Sequence, residues 1–68
     1  MDSVELIEYL YQQPMCRIAL QRIDEAEDAA QMTLYIGDPT KLRFRCYRRA
    51  NAARKQLAAA IKFYLELL

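Results

Sequence analysis

The chain has no histidine, one glycine (Gly37), two prolines (Pro14 and Pro39) and two cysteines (Cys16 and Cys46) in 68 residues. Each shortage excludes something. Without His, the commonest general base and the commonest metal ligand are missing. Two cysteines alone supply no zinc-type ligand set. So little Gly and Pro argues against disorder, a collagen-like repeat or a turn-rich β protein. No apolar run approaches the roughly 20 residues of a membrane span. The N-terminus opens with Asp2 and Glu5 instead of a basic stretch before an apolar core, so no secretory signal is expected. The expectation is a soluble cytoplasmic chain with no catalytic residue, no metal and no cofactor.

The residues that are present favour helix. Apolar residues make up 54% of the chain, and Leu, Ala, Arg, Glu and Gln are prominent. A domain of this length buries only about 60% of the surface its unfolded chain exposes, so it is marginal without a staple. A second chain is the expected source of help.

Charge divides the chain. Residues 1 to 38 carry eight carboxylates against Arg17 and Arg22, and residues 39 to 68 carry eight cations against Glu66. The net charge of +1 conceals this polarity. Gly37-Asp38-Pro39 stands at the junction, where Gly suits a helix end, Asp an N-cap and Pro the first helical position. Asp2 and Glu5 read as a capping box that opens a helix, and Pro14 breaks that helix. The expected elements are helices at about 3–12, 14–36 and 39–67 with a turn at 37–38, a single kinked helix before the turn being the alternative. The fold expected is all-α, an antiparallel, coiled-coil-like helical hairpin preceded by a short helix.

Two apolar seams support this. Cys16, Ala19, Ile23, Ala26 and Ala30 recur at steps of three and four, with Leu34 extending the stripe. Leu42, Cys46, Ala50, Ala53, Leu57, Ala60, Tyr64 and Leu67 do the same in the last helix. The many alanines imply close approach of the two helices.

The basic run from Lys41 to Lys55 interleaves seven cations with Phe44 and Tyr47. It could meet nucleic-acid phosphates or pair within the hairpin. A pI of 7.8 favours pairing, so nucleic acid is not the expected partner. Opposed residues should sum to about 75, setting Asp24, Glu27 and Asp28 across from Arg48, Arg49 and Arg54. The same register separates Cys16 from Cys46 by roughly 20 Å, too far for a disulfide, and both read as small core hydrophobes. Carboxylates at Asp24, Glu25 and Asp28 have helical spacing but no accompanying ligands. They read as a solvated acidic face.

The apolar residues exceed what one small core can use. A second stripe on the last helix comprises Phe44, Tyr47, Ala58, Ile61, Leu65 and Leu68, and residues 61–68 are nearly apolar all round. The first helix, Val4 to Tyr11, is expected to fold back over part of it. The remainder should be a protein-binding surface, and five tyrosines suit that role. The residues expected to meet the partner are Leu6, Leu10, Phe44, Tyr47, Ile61, Tyr64, Leu65 and Leu68.

The turn Ile36-Gly37-Asp38-Pro39, the amphipathic helix after it with Leu42, the Ile61-Phe63-Tyr64 end and the early Val4-to-Leu10 helix together resemble the YscE-like family. These are small cochaperones of type III secretion needle subunits. The resemblance covers most of the chain and includes no ligand or catalytic residue. It implies a non-enzymatic protein that binds a helical-repeat cochaperone and helps keep a needle subunit soluble and unpolymerised in the bacterial cytoplasm. The other reading of the same features is a small regulatory or phage-type helical protein that forms a homodimer and inhibits a target by direct binding.

Overall fold

The structure, a computed structural model, describes residues 2–33 and 40–68. It is all helical: α1 (Ser3–Gln12), α2 (Pro14–Met32) and α3 (Thr40–Leu67), with no strand among the described residues. The Gly37-Asp38-Pro39 turn, the end of the middle helix beyond Met32 and the contribution of Leu34 lie outside the described residues.

Local chemistry explains where the described helices begin and end. The Asp2 carboxylate accepts a hydrogen bond of 2.8 Å from the Glu5 amide, occupying one of the unpaired donors at the start of α1. The break between α1 and α2 is made by Gln13 and Pro14. Proline has no amide hydrogen and forces its predecessor out of the helical region, and Gln13 is extended at φ −68°, ψ 143°. Gln13 then closes both neighbours. Its amide and side-chain nitrogen donate to the Leu10 and Tyr9 carbonyls, each at 3.1 Å, and its own carbonyl accepts from Arg17 at 2.9 Å. Two helices separated by a capped break therefore replace the single kinked helix.

Four contacts fix how α2 and α3 run. Met15, Arg22, Glu27 and Thr33 bond Tyr64, Gln56, Arg54 and Arg43 respectively. One number rises as the other falls, so the helices are antiparallel and form a hairpin. Opposed residues sum to between 76 and 81. The register is shifted by one to six residues, roughly 2–9 Å along the helices, from the expected value of about 75.

The core is thin and small-grained. Cys16, Ala19, Ala26 and Ala30 of α2 meet Ala50, Ala53 and Ala60 of α3, and Leu10 of α1 is buried as well. Among the described residues Cys16 is the largest side chain that is wholly enclosed. Ile23, Cys46, Leu57 and Tyr64 flank this strip half-buried. The seam does not continue to its ends, because Leu42 and Leu67 are exposed. Leu67 lies, by the observed register, past the first residue of α2. The molecule is a rod measuring 49 × 17 × 17 Å.

Candidate partner-binding surfaces

Of the eight residues expected to meet a partner, half are turned inward. Leu10 is buried, and Leu6, Ile61 and Tyr64 are half-buried. Tyr64 helps to hold the hairpin together. Its hydroxyl accepts from the Met15 amide at 3.4 Å, one of the donors that the start of α2 leaves unpaired. Its ring stands edge-on to Phe63, with centroids 5.3 Å apart. The other four expected residues face water: Phe44 at 63% exposure, Tyr47 at 51%, Leu65 at 44% and Leu68 at 69%. Phe44, Tyr47, exposed Ala58 and Leu65 run along one flank of α3, and Leu68 follows just past the helix end. The main packing of α1 is onto α2. Leu65 and Leu68 are left uncovered, as part of the stripe was expected to be.

The basic half of α3 frames the upper part of that flank. The Arg48 guanidinium lies 5.9 Å from the centre of the Phe44 ring, an exposed cation–π contact. Arg43 donates to the Thr33 hydroxyl at 3.4 Å, and that buried hydroxyl donates in turn to the Ala30 carbonyl at 2.6 Å. Arg54 pairs with Glu27 and also donates to Asn51 at 3.0 Å. The Arg54–Glu27 pair is the ion pair found among the described residues. Asp24 and Asp28, expected to pair with the arginines opposite, face solvent. Glu27 stands beside the buried strip of α2 and reaches Arg54, whereas Asp24 and Asp28 lie on the outer face of the helix.

On the other flank, α2 and α3 form a groove that sequence reasoning missed. Met15, Ile18 and Ala19 form one wall and Ala59, Ala60 and Phe63 the other, around an open volume of about 420 Å³. Met15, Ile18 and Phe63 are each about half exposed, at 48%, 51% and 47%. Arg22 donates to Gln56 at 2.9 Å across the end of the groove. Farther along the same flank, Glu25 lies near Arg49 and Ala52. The signal in the sequence was the spacing of Met15 with Ile18 and of Ala59 with Phe63. Arg22 and Gln56 interrupt both, so neither read as a stripe.

Both cysteines are free thiols. Burial pushes the Cys16 thiol above its ordinary value. Among the described residues no cluster of three or more His, Cys, Asp or Glu could hold a metal ion. No described helix is long and apolar enough to cross a membrane. No protein-family model, curated protein or solved structure matches the chain.

Proposed function

We propose that the protein is a non-enzymatic binding module that docks the outer flank of α3 on a protein partner. The observation that carries this reading is the row of water-facing Phe44, Tyr47 and Leu65 on a helix already packed on α2, with exposed Leu68 just past its end. Aromatic and leucine side chains fixed on a rigid helix lose little freedom on binding, and each returns roughly 1 kcal/mol or more when covered. The cations beside Phe44 and Tyr47 supply a polar rim and a preference for an acidic border on the partner.

The more specific form of the reading rests on the resemblance to YscE-like cochaperones. The partner is then a helical-repeat cochaperone, and the assembly holds a type III secretion needle subunit soluble and unpolymerised in the cytoplasm. The hairpin acts by mass action, stabilising the partner's folded form in proportion to how tightly it binds. Co-expression with a needle subunit and a helical-repeat protein from the same genome tests this. The wild-type chain is expected to copurify with them in stoichiometric amounts. Leu65→Asp is expected to abolish copurification while leaving the helical content of the free chain unchanged. Copurification that survives Leu65→Asp and Leu68→Asp together would overturn the proposed surface. Ile61→Asp is a poor probe, because Ile61 is half-buried and its loss also weakens the hairpin.

A further inference from the structure

A cleft between α2 and α3 adjoins the water-facing row on the flank away from the groove. Glu27, Ala30 and Gln31 of α2 and Arg43, Tyr47 and Arg54 of α3 line it, around an open volume of about 260 Å³. Small-molecule pockets run to roughly 300–1,000 Å³, so this one suits a single side chain. We infer that the cleft takes a carboxylate of the protein partner. Given the outer-flank reading on which this rests, the docking segment is an amphipathic helix with an acidic side chain about three turns from its apolar anchor.

Spacing joins the cleft to the row. Arg43, Tyr47, Arg54, Ala58 and Leu65 follow one another at steps of four and seven, so they form one stripe along α3. Arg54 stands in its middle. A partner that covers both Tyr47 and Leu65 must also cover Arg54, and shutting a guanidinium off from water without a counter-charge is costly. Arg54 donates from one terminal nitrogen to Asn51 and from the other to Glu27. A guanidinium has further donor hydrogens, and once water is excluded they need an acceptor from the partner. A carboxylate meets them with both charge and geometry.

The charge of the cleft favours the same occupant. Among the described residues its lining sets the Arg43 and Arg54 guanidiniums against the Glu27 carboxylate. Both guanidiniums are already held, Arg43 through Nε on the Thr33 hydroxyl and Arg54 on Glu27 and Asn51, so little ordering remains when a partner arrives. Distance sets the partner's pattern. Arg54 and Leu65 are eleven residues apart, roughly 16 Å along α3, which a facing helix matches in about three turns. Glu27 acts as an internal competitor. It neutralises Arg54 in the free chain, so its removal favours the incoming carboxylate.

Selection of peptides of about 20 residues from a random library on the immobilised full chain tests this, since such a peptide spans as a helix the roughly 27 Å from Tyr47 to Leu65. Enriched peptides are expected to carry Asp or Glu about three turns from Leu, Ile or Phe. Their dissociation constants, read by fluorescence anisotropy, are expected to rise roughly tenfold in Arg54→Gln and to fall roughly threefold in Glu27→Gln. Both variants break the same ion pair, so opposite signs separate a binding role from a structural one. Arg43→Gln leaves that pair intact and is expected to weaken binding as well. Enriched peptides that lack acidic residues, or that bind wild type, Arg54→Gln and Arg43→Gln alike, overturn the inference, and their loss in Leu65→Asp, Leu68→Asp would still uphold the outer-flank reading. Peptides indifferent to Leu65→Asp, Leu68→Asp, or no enrichment at all, overturn both. A chain that prefers a single-stranded oligonucleotide of similar length, or that dimerises through this stripe in sedimentation, overturns the acidic protein segment as occupant.

Discussion

Ala50→Leu perturbs the narrowest part of the hairpin. Ala50 is 0% exposed, and by the observed register it lies against Ala26, 1% exposed, and Ala30. Were there room for the added carbons, each buried methylene would stabilise by about 0.8 kcal/mol. There is none, since the core on both sides is alanine at close approach. The new side chain must force the helices apart or leave its preferred rotamer, at about 1–3 kcal/mol. In a domain of this size each kcal/mol moves the melting temperature by about 4–8 °C, so a fall of roughly 5–20 °C is expected. Ala58→Leu is the control. It makes the same change in helix propensity at an exposed position of α3, where the effect should stay within about 0.5 kcal/mol. Thermal unfolding monitored by circular dichroism, at matched protein concentration, compares the two. An Ala50→Leu variant as stable as Ala58→Leu, or more stable than wild type, would refute the close-packed alanine seam.

Particular contacts lead to four further outcomes. Thr33→Val removes a buried hydroxyl that bonds the Ala30 carbonyl and Arg43, and should cost about 1 kcal/mol in urea unfolding. Asp2→Ala removes the α1 cap and should cost about 0.5–2 kcal/mol, seen as faster amide exchange confined to α1. Glu27→Gln breaks an ion pair whose side chains are both about half exposed, so it should cost no more than about 1 kcal/mol and nothing measurable in 1 M salt. Cys46 should react with a thiol reagent at once and Cys16 only on unfolding. Burial raises the Cys16 thiol, so the folded chain holds its proton to higher pH than the unfolded one. Stability should therefore fall as pH climbs above the ordinary thiol value of about 8.5, and a fall absent from Cys16→Ala would identify its source.

The helices and their polarity were legible because short-range chemistry sets them. Pro14 and the Asp2–Glu5 pair act within one turn of themselves, and the three-and-four spacing of Cys16, Ala19, Ala26 and Ala30 is a property of one helix. What the spacing could not carry was relative placement. The sum of opposed residues and the rotation of each helix belong to the packed pair, and among the described residues Glu27 and Arg54 alone are brought together as an ion pair. The eight residues expected to meet a partner divide between inward and water-facing positions. The apolar side chains of residues 61–68 were assigned a common fate, whereas the α2–α3 contact turns Ile61 and Tyr64 inward and leaves Leu65 and Leu68 in water. The groove stayed hidden because it belongs to neither helix: apolar residues from each meet only after the hairpin forms.

The central claim is that the outer flank of α3 is a protein-binding surface. Calorimetric titration of the chain into the helical-repeat partner, repeated at several temperatures, tests it most directly. The account predicts a saturable complex with a negative heat-capacity change, the mark of apolar burial. It also predicts complete loss of the complex for Leu65→Asp with Leu68→Asp, and retention for Ile18→Asp. Retained affinity in a folded Leu65→Asp, Leu68→Asp chain, or binding with no heat-capacity change, would contradict it.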